Sequence, residues 1–592
     1  MTGIRDRKML ERKFARRPEG QGPELKLGDG SQVAVIGGGP AGSFFSYFLL
    51  DTAQRVGLDI QLDVYEPRKF SRVGPAGCNM CGGIISESLV QALAAEGINL
   101  PPTVVQRGID SYVMHMDTGS VHIETPLHEK RIAAVHRGSG PKDTRQIKWN
   151  SFDGYLQSLA LTKGANLIPQ RVAEVSFQDG LPLIKTRDGS PQAYDLLAVA
   201  AGVNSAALGF FEEAGLNYKA PRTTKTFIRE YYLSQETINA YVGSSMHVFL
   251  LKIPRLQFAA IIPKGDYVTV CLLGRDIDNE LIQSFMDSPE VQRCMPPSWQ
   301  SDQRSCQCAP RMNVRGAARP FADRLIFIGD SGVSRLYKDG IGAAYRTAKA
   351  AAATAVLHGI SAEDFKRHYR PLCRSMGLDN SIGKIMFGLT PAIHLFRFAR
   401  RAMLRMSARE QGRPGSRRRM STILWDMFTG SAPYRHILLR GLHPYFLASL
   451  LGNLFISIFR RKTRFYLKEK IMETALLGKI YKPGQIIIRQ GEIGDCMYVV
   501  QAGRVEVFQQ TDGQEVHLAT LEQGDFFGEM ALFDREVRSA TVRAVGEVQA
   551  LTVDKKAFLS RIHEDPSLAF RIVQQMSHRI RELNAELARL ET

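Results

Sequence analysis

The first hundred residues open with a strand, a glycine-rich turn and a helix. Gln32–Ile36 is a short, mainly apolar run, and apolar residues at helical spacing extend from Ala41 to Leu50. A second strand, Ile60–Tyr65, ends at Glu66. Strand, turn, helix and strand in this order predict a βαβ unit, which implies a parallel sheet.

The pattern of apolar and polar positions changes farther along the chain. Strand-like and helical segments alternate to about residue 320, where Arg324–Ile328 predicts a strand and Gly342–Val356 a long alanine-rich helix. After residue 478 short strands alternate with glycines, and Asp565–Leu590 predicts a final helix. We therefore predict four regions: a basic arm (1–28), an α/β domain with an interleaved substrate region (29–380), a basic amphipathic helical region (381–469) and an all-β domain with flanking helices (470–592).

The charge of the chain is unevenly distributed. Residues from Ile471 onward carry 18 acidic and 14 basic side chains, a net charge of −4, so the preceding residues carry +22 while the whole chain carries +18. This excess favours an anionic ligand or surface in the first three regions, although a solvated basic face is an equal alternative. Eight cysteines in 592 residues do not form a disulfide framework, and Met1–Gly22 lacks the apolar segment of a secretory signal, so we expect a cytoplasmic protein.

The glycine turn after the first strand has the G-x-G-x-x-G spacing of a dinucleotide-binding motif. Its glycines allow a tight turn, close approach of a pyrophosphate and close packing of helix on strand, while the helix N-terminus attracts phosphate. Glu66 ends the next strand, where a carboxylate accepts hydrogen bonds from a ribose. The residues predicted to bind the cofactor here are Gly37, Gly39, Pro40, Ala41, Gly42 and Glu66.

Three further segments resemble the flavoprotein family of geranylgeranyl reductases and para-hydroxybenzoate-hydroxylase-like monooxygenases. They are Phe152-Asp153-x-x-Leu156, the strand leading into Ala201-Gly202-Val203-Asn204-Ser205, and Gly329-Asp330 followed by Asp339-Gly340-Ile341-Gly342. The resemblance implies a Rossmann-type α/β domain of the glutathione reductase type with FAD as cofactor. It implies that Asp330 binds the ribityl chain and that the helix N-terminus faces the flavin, so Gly329, Asp330, Gly340, Ile341 and Gly342 join the predicted cofactor site.

A C-G-G segment, Cys81-Gly82-Gly83, resembles the flavin-facing loop of geranylgeranyl reductases. It implies reduction of an isoprenoid or other lipid-like substrate, with Cys81 as a candidate proton donor; a small residue chosen for close packing is an equal alternative. Cys78 and Cys81 also have the spacing of a redox dithiol, or of half a zinc site completed by Cys306 and Cys308, but we predict no metal. Because no second dinucleotide motif occurs, the electron donor is NAD(P)H bound transiently or another protein.

The middle region has a basic amphipathic pattern. On a helix, Arg397, Arg400, Arg401 and Arg405 would share one side, opposite an apolar side, which is typical of a membrane-surface helix or of a packed helix with a solvated face. Leu442–Phe459 is nearly all apolar but short for a membrane span. We predict peripheral contact with the inner face of a membrane, and we weigh nucleic acid far lower as the anionic partner.

The C-terminal region resembles the cyclic-nucleotide-binding β-roll of catabolite activator proteins and protein kinase A regulatory subunits. Gly484–Gly503 is similar to the opening strands of that roll, and the segment around Glu529 and Arg538 is similar to its phosphate-binding cassette. The resemblance implies that Glu529 accepts the ribose hydroxyl and Arg538 pairs with the cyclic phosphate of cAMP or cGMP. The predicted binding residues are Phe527, Gly528, Glu529, Met530, Ala531, Arg538 and Ser539.

These patterns together predict an FAD-dependent oxidoreductase regulated by a cyclic nucleotide. Two alternatives stay open: a flavin-dependent monooxygenase or halogenase on the same fold, and a non-enzymatic, nucleotide-responsive membrane adaptor. A roll that keeps its shape without binding nucleotide is a further alternative for the C-terminal region. The apolar positions of the predicted final helix could pair two subunits or cover the roll.

Overall fold

The computed structural model describes residues 25–125, 129–213, 215–411, 418–459, 477–511, 514–533 and 537–555, together with single residues and short runs between 558 and 585. The basic arm up to residue 24 and most of the predicted final helix lie outside the described residues. Of Ala531, only the backbone is described.

The predicted βαβ unit lies in the middle of a six-stranded sheet. Gln32–Ile36 pairs in parallel with Gln61–Tyr65 on one side and with Leu196–Val199 on the other. The helix between the first two strands is longer than predicted, Pro40–Arg55, and packs on the helix Gly340–Leu357. In order across the sheet, the strands are Phe321–Ala322, Leu325–Phe327, Leu196–Val199, Gln32–Ile36, Gln61–Tyr65 and Asn166–Ile168. This order is that of an open, doubly wound α/β sheet with a short antiparallel edge strand.

A second large sheet forms the interleaved region. Its pairs are antiparallel except that of Ser111–Met116 with Ser245–Phe249, which is parallel. In order, its strands are Cys306–Cys308, Arg222–Tyr232, Tyr267–Gly274, Leu256–Pro263, Ser245–Phe249, Ser111–Met116 and Gly119–Glu124, with Arg311–Arg315 paired to Arg222–Tyr232. Two three-stranded antiparallel sheets complete this part: Gln192–Ala193, Leu181–Thr186, Val172–Gln178; and Ile84–Ile85, Ile132–Ala134, Arg107–Ile109.

Helices cover these sheets and form the middle region. Those of the α/β part are Pro40–Arg55, Glu87–Ala95, Phe152–Thr162, Gly209–Glu213, Gln235–Tyr241, Asn279–Met286, Pro289–Gln292 and Gly340–Leu357. After Ala362–Asp364 come Arg370–Gly388, Thr390–Leu395, Arg397–Glu410, Arg419–Thr429, Tyr434–Gly441 and Pro444–Phe459. In the described part of the chain no single helix is long and apolar enough to cross a membrane; the pair Tyr434–Gly441 and Pro444–Phe459, bent by 66°, meets that criterion only together.

The predicted arginine face of the middle region is wrong. Arg400 and Arg405 are buried, and only Arg397 of the four is exposed. Arg400 forms two hydrogen bonds with the carboxylate of Asp117, at 2.6 and 2.9 Å, and donates to the carbonyl oxygen of Ile393. A buried guanidinium needs such partners, and Asp117 supplies them from the edge hairpin of the second sheet.

The C-terminal region is an all-β roll. Its strands, in order, are Lys479–Tyr481, Thr541–Asp554, Cys496–Thr511 and Gln514–Leu521, with Ile486–Ile488 and Phe526–Phe527 paired at the side and the short helix Met530–Phe533 before the last strand. One side of the roll shares a buried core with the α/β part. Leu477, Met497, Val499, Leu551 and Val553 belong to the same apolar cluster as the helices Pro40–Arg55 and Glu87–Ala95.

Candidate functional sites

The glycines of the first turn allow the following helix to pack closely on the turn. A Cβ atom on Gly42 would lie 1.8 Å from the carbonyl oxygen of Gly37, so the helix packs directly on the turn. Gly37 has a φ of +105°, which favours glycine. Pro40 begins the helix, and no side chain caps its N-terminus at Gly39. The first-turn N–H groups, including that of Ala41, are therefore directed at the position where a pyrophosphate binds.

Glu66 lies beside this turn at the end of its strand. Its carboxylate accepts hydrogen bonds from the backbone N–H of Gly38 at 2.9 Å and of Arg68 at 2.8 Å, while burial raises the pKa of Glu66. The buried Nε2 of Gln157 has no hydrogen-bond partner among the described residues and would lie 2.8 Å from a Cβ on Gly38. An unpaired buried amide at this turn fits the polar groups of a dinucleotide.

The second predicted motif contacts the first. Gly329 has a φ of +57°, and a Cβ there would lie 2.7 Å from the Cβ of Ala41. The next residue, Asp330, accepts a hydrogen bond at its main-chain oxygen from Asn313 at 3.0 Å. Burial raises the pKa of the Asp330 carboxyl, with Ser334 and a nearby guanidinium opposing it. The buried Oδ1 of Asn313 has no hydrogen-bond partner in the part of the chain that the structure describes. Each of the two motifs therefore has beside it one buried polar atom, of Gln157 or of Asn313, that a ligand could bind.

The helix Gly340–Leu357, called the flavin helix below, begins at Asp339. This residue has a φ of +54°, and its carboxylate accepts from Ser86 Oγ at 2.6 Å and from Arg346 at 3.1 Å. It does not cap the helix, so the N–H groups of the first turn stay open. These are the predicted residues Gly340, Ile341 and Gly342, and their positive end favours the negative charge of reduced flavin. The residues of both motifs therefore fit FAD.

A buried ion pair that the sequence analysis missed connects the motifs. Arg137 Nη2 donates to Asp153 at 2.9 Å, and Asn79 bonds both Asp153 and Arg68. Burial alone would lower the pKa of the Arg137 guanidinium, but Asp153 and Cys81 raise it. In the sequence, Asp153 stands out only as part of the segment Phe152-Asp153-x-x-Leu156. The arginine has no local sequence signal, because its partner is in a different element.

The loop of Cys81 packs against a second buried polar cluster, which sequence reasoning also missed. A Cβ on Gly83 would lie 3.2 Å from Lys264 Nζ, which donates to Glu230 at 2.8 Å and approaches His136 Nδ1 at 3.5 Å. Burial would lower the pKa of Lys264, but Glu230 holds it above its ordinary value. Burial lowers the pKa of His136 to about 3, so its imidazole is neutral. Lys264 is therefore a charged proton source beside the loop.

Two cysteines of this region, Cys78 and Cys271, are thiols with little tendency to ionise. All eight cysteines of the chain are free, and burial raises the pKa of Cys78 to about 11 and of Cys271 to about 12. Scarce thiolate at Cys78 disfavours Cys78 as the attacking thiol of a dithiol that exchanges electrons with flavin. The sulfur atoms of Cys78, Cys81, Cys306 and Cys308 do not converge as a group of metal ligands in the described structure.

The candidate phosphate site of the roll centres on Arg538. Its buried guanidinium donates to the main-chain oxygens of Gly528 and Cys496, each at 2.6 Å. A Cβ on Gly494 would lie 2.2 Å from its Cζ atom, and Gly528 has a φ of +74°, so both glycines are needed for the arginine to fit. The two carbonyls that accept from Arg538 are neutral, so an anionic ligand would bring the opposite charge to the guanidinium.

The other predicted binding residues surround this arginine. Glu529 is buried, and Phe527 stacks on Tyr498 with the ring centroids 5.2 Å apart. Ser539 Oγ approaches the sulfur of Met530 at 3.9 Å, and both side chains are exposed. The structure thus brings Arg538 and Ser539 against the turn at residues 527–530, where Arg538 contacts Gly528 and Ser539 approaches Met530, and both Glu529 and Arg538 are buried.

Comparison with known proteins identifies the roll. Residues 479–565 match the family model of the cyclic nucleotide-binding domain. The chain is 36% identical over 110 residues to the cyclic AMP receptor protein of Thermus thermophilus, covering 18% of this chain and 51% of that protein. It is 44% identical over 91 residues to the cGMP-dependent protein kinase egl-4 of Caenorhabditis elegans, covering 15% and 12%. The C-terminal region is therefore a cyclic nucleotide-binding domain, while this chain spans about half or less of either relative.

Solved structures align with the α/β part at low similarity. One is the halogenase PltM in complex with phloroglucinol and FAD, with 13% identity, a TM-score of 0.46 and coverage of 72% of this chain and 91% of that one. Another is a flavoprotein/dehydrogenase from Cytophaga hutchinsonii, with 13% identity, a TM-score of 0.48 and coverage of 73% and 99%. The fold assignment of this part rests on its own sheet order and glycine motifs.

Proposed function

We propose that this chain is an FAD-dependent oxidoreductase whose turnover is controlled by a cyclic nucleotide bound to the C-terminal roll. The observation that carries the proposal is a continuous series of contacts from Arg538, at the phosphate site, to Asp339, at the start of the flavin helix. A ligand can change activity only if it interacts unequally with two arrangements of such a series.

The series begins inside the roll. Arg538 binds the main-chain oxygen of Cys496, and Cys496 pairs across the sheet with Asp554. A cyclic phosphate competes with that carbonyl for the guanidinium, because a phosphate brings the opposite charge and accepts two parallel bonds from the guanidinium, whereas the carbonyl is neutral. Binding would therefore shift the strand end that carries Asp554.

Arg131 receives this shift on the other side of the domain boundary. Its Nη1 donates to Asp554 at 2.7 Å, and its Nε donates to Glu129 at 3.0 Å. Glu129 also accepts from the backbone N–H of Thr552 at 2.8 Å. Burial alone would lower the pKa of Arg131, but Glu87, Glu129 and Asp554 raise it. The guanidinium thus stays charged between the two domains.

The last step runs through the start of the helix Glu87–Ala95. Arg131 donates to Glu87 at 3.1 Å, and the neighbouring Ser86 both caps that helix and donates to Asp339 at 2.6 Å. A displacement of Arg131 would move Asp339 and the N-terminus of the flavin helix. Coupling through such contacts is typically ~1–3 kcal/mol, or about 5- to 150-fold in the affected equilibrium.

The reaction we propose is reduction of an isoprenoid or other lipid-like double bond. Bound FAD supplies hydride transfer. Lys264 would hold the proton for the second carbon, supported by Glu230, while Cys81 is the alternative donor. An apolar cluster contacts this loop through Ile84 and Cys271 and continues to the helices of the middle region, so the surroundings of the loop are apolar.

Membrane contact is the proposed route of such a substrate to the enzyme. The helix Pro444–Phe459 exposes a stripe at four-residue spacing, Leu447, Leu451, Phe455 and Phe459, with Phe455 65% exposed. Exposed apolar and basic side chains also alternate on Arg370–Gly388, where Leu378 and Ile385 lie among Arg374 and Lys384. An exposed apolar stripe on one helix, together with exposed cations on another, fits the anionic face of a bilayer.

Anaerobic turnover tests the reaction. The purified full chain, with its flavin identified by visible spectrum, is mixed without oxygen with NADPH or dithionite and a geranylgeranyl substrate. We expect flavin reduction followed by reoxidation as the double bond is saturated. An absolute requirement for oxygen would instead indicate a monooxygenase or halogenase. A flavin that never changes oxidation state during turnover would indicate the non-enzymatic membrane adaptor.

A further inference from the structure

Three side chains of the kind that bind metal ions meet on the second large sheet, away from the Cys81 loop. His115 and His247 lie on adjacent parallel strands, and Cys294 follows the helix Pro289–Gln292. Their donor atoms lie 2.9 Å apart for His115 Nε2 and His247 Nδ1, 3.3 Å for Cys294 Sγ and His247 Nδ1, and 3.7 Å for Cys294 Sγ and His115 Nε2. All three residues are buried.

The site is on the opposite face of the sheet from the Cys81 loop. His247 and Phe249 face a cluster with the helix Asn279–Met286, while the intervening Val248 faces the cluster that contains Cys271. Side chains alternate between the faces of a strand, so the two sites are separated by the sheet. The three side chains therefore play no part in the proposed redox chemistry.

Each imidazole ring is held in place by a hydrogen bond at the nitrogen that does not face the other two side chains. His247 Nε2 donates to the carbonyl oxygen of Val242 at 3.1 Å, which leaves a lone pair on its Nδ1. Ser120 Oγ lies 2.8 Å from His115 Nδ1 and can accept its proton, which leaves Nε2 as the ligand.

The three donor atoms are close enough together to share one tetrahedral ion. Zn–N bonds of ~2.0 Å and Zn–S bonds of ~2.3 Å place ligand atoms roughly 3.3–3.5 Å apart around a tetrahedron. The three observed separations lie on either side of this range: that of the two imidazole nitrogens, 2.9 Å, is shorter, and that of Cys294 Sγ from His115 Nε2, 3.7 Å, is longer. Without a cation, His115 and Cys294 both approach the one lone pair on His247 Nδ1.

We propose that His115, His247 and Cys294 bind a divalent cation of the zinc type as a structural centre. Two imidazoles and one thiolate suit Zn²⁺ and exclude hard cations such as Mg²⁺. Water, or the main-chain oxygen of Glu290, which lies 3.4 Å from Cys294 Sγ, would complete four ligands. The ion would fasten the Pro289–Gln292 segment to the two strands.

Metal analysis of the purified full chain tests this site. After incubation with ZnCl₂ and gel filtration we expect about one zinc per chain. Cys294→Ala should lose it, whereas Cys373→Ala, a control in the helix Arg370–Gly388, should keep it. Less than about a tenth of an equivalent in the unchanged chain, or equal retention in both variants, would overturn the proposal.

Cobalt provides a measurement that does not depend on the variants folding. Co²⁺ added to the chelator-treated, unchanged chain should give a thiolate-to-cobalt charge-transfer band, and tetrahedral bands at wavelengths longer than flavin absorption. A difference spectrum against cobalt-free protein removes the flavin contribution. Octahedral cobalt bands without the thiolate band would show that Cys294 is no ligand and would refute the site.

Discussion

The nucleotide roll and the α/β part assemble their sites in opposite ways. In the roll, Glu529 and Arg538 are nine residues apart, and the glycines that make room for the arginine belong to adjacent turns. In the α/β part, Gly37 and Asp330 come from segments almost three hundred residues apart. A site within one contiguous segment is visible as sequence identity, as the matches over 91 and 110 residues show. A scattered site, one assembled from distant segments, is visible in the sequence only through the spacing of its glycines.

The scattered site should be the more sensitive to a single added methyl group. Gly42→Ala would place Cβ 1.8 Å from the oxygen of Gly37, so we expect nearly complete loss of bound FAD, measured as the flavin-to-protein absorbance ratio. Gly28→Ala is the matched control, because nothing lies within 4 Å of a Cβ there. Normal flavin content in Gly42→Ala would mean that the turn does not hold the cofactor.

Nucleotide binding in the roll should depend on the single positive charge of Arg538. Arg538→Ala should weaken cyclic nucleotide binding at least about 30-fold in calorimetry, since removing one partner of a buried charged pair costs ~2–5 kcal/mol. Arg504→Ala, an exposed position in the same roll, should bind normally. Equal affinities for the two variants would place the phosphate elsewhere.

The buried pair Lys264–Glu230 offers a third comparison. Lys264→Met leaves a buried carboxylate unpaired and should lower the free energy of unfolding by ~3–5 kcal/mol in urea titrations. The double variant Lys264→Met/Glu230→Gln should recover most of this loss. If the single and double variants were equally stable, the charge of Glu230 would not matter.

The same pair predicts a pH dependence of stability. Burial would raise the pKa of Glu230, but Lys264 holds it below its ordinary 4.5. The stabilisation from the carboxylate is therefore full above about pH 4.5 and is lost as the pH falls through the folded-state pKa. The double variant should lack this acid-side loss.

The smallest expected effect concerns the exposed helix Pro444–Phe459. Leu451→Ser/Phe455→Ser should weaken binding to phosphatidylglycerol vesicles in co-sedimentation at least about tenfold, because a fully buried large apolar side chain contributes ~1.5–3 kcal/mol and these two would be buried in part. Leu161→Ser/Leu357→Ser, two exposed leucines elsewhere, serves as the control. Equal sedimentation of both double variants would remove this helix from the membrane proposal.

The sequence was most informative where structure is local. Gln32–Ile36 is a strand as predicted, and the flavin helix extends the predicted Gly342–Val356 by only a few residues. The prediction of an exposed arginine face was wrong because Arg400 pairs with Asp117, which is 283 residues away in the sequence. This ion pair holds Arg400 in a buried position instead of an exposed one. Arg131 and Asp554 are 423 residues apart, so no local pattern could reveal their ion pair.

The central claim, that nucleotide bound at Arg538 changes flavin reactivity through Arg131, has one direct measurement. The rate of anaerobic flavin reduction in stopped flow is compared with and without saturating cAMP or cGMP, in the unchanged chain and in Asp554→Asn. We expect the nucleotide to change the rate about 5- to 150-fold in the unchanged chain and much less in the variant, which should still bind nucleotide. An identical rate with and without either nucleotide, while calorimetry shows it bound, would contradict the account.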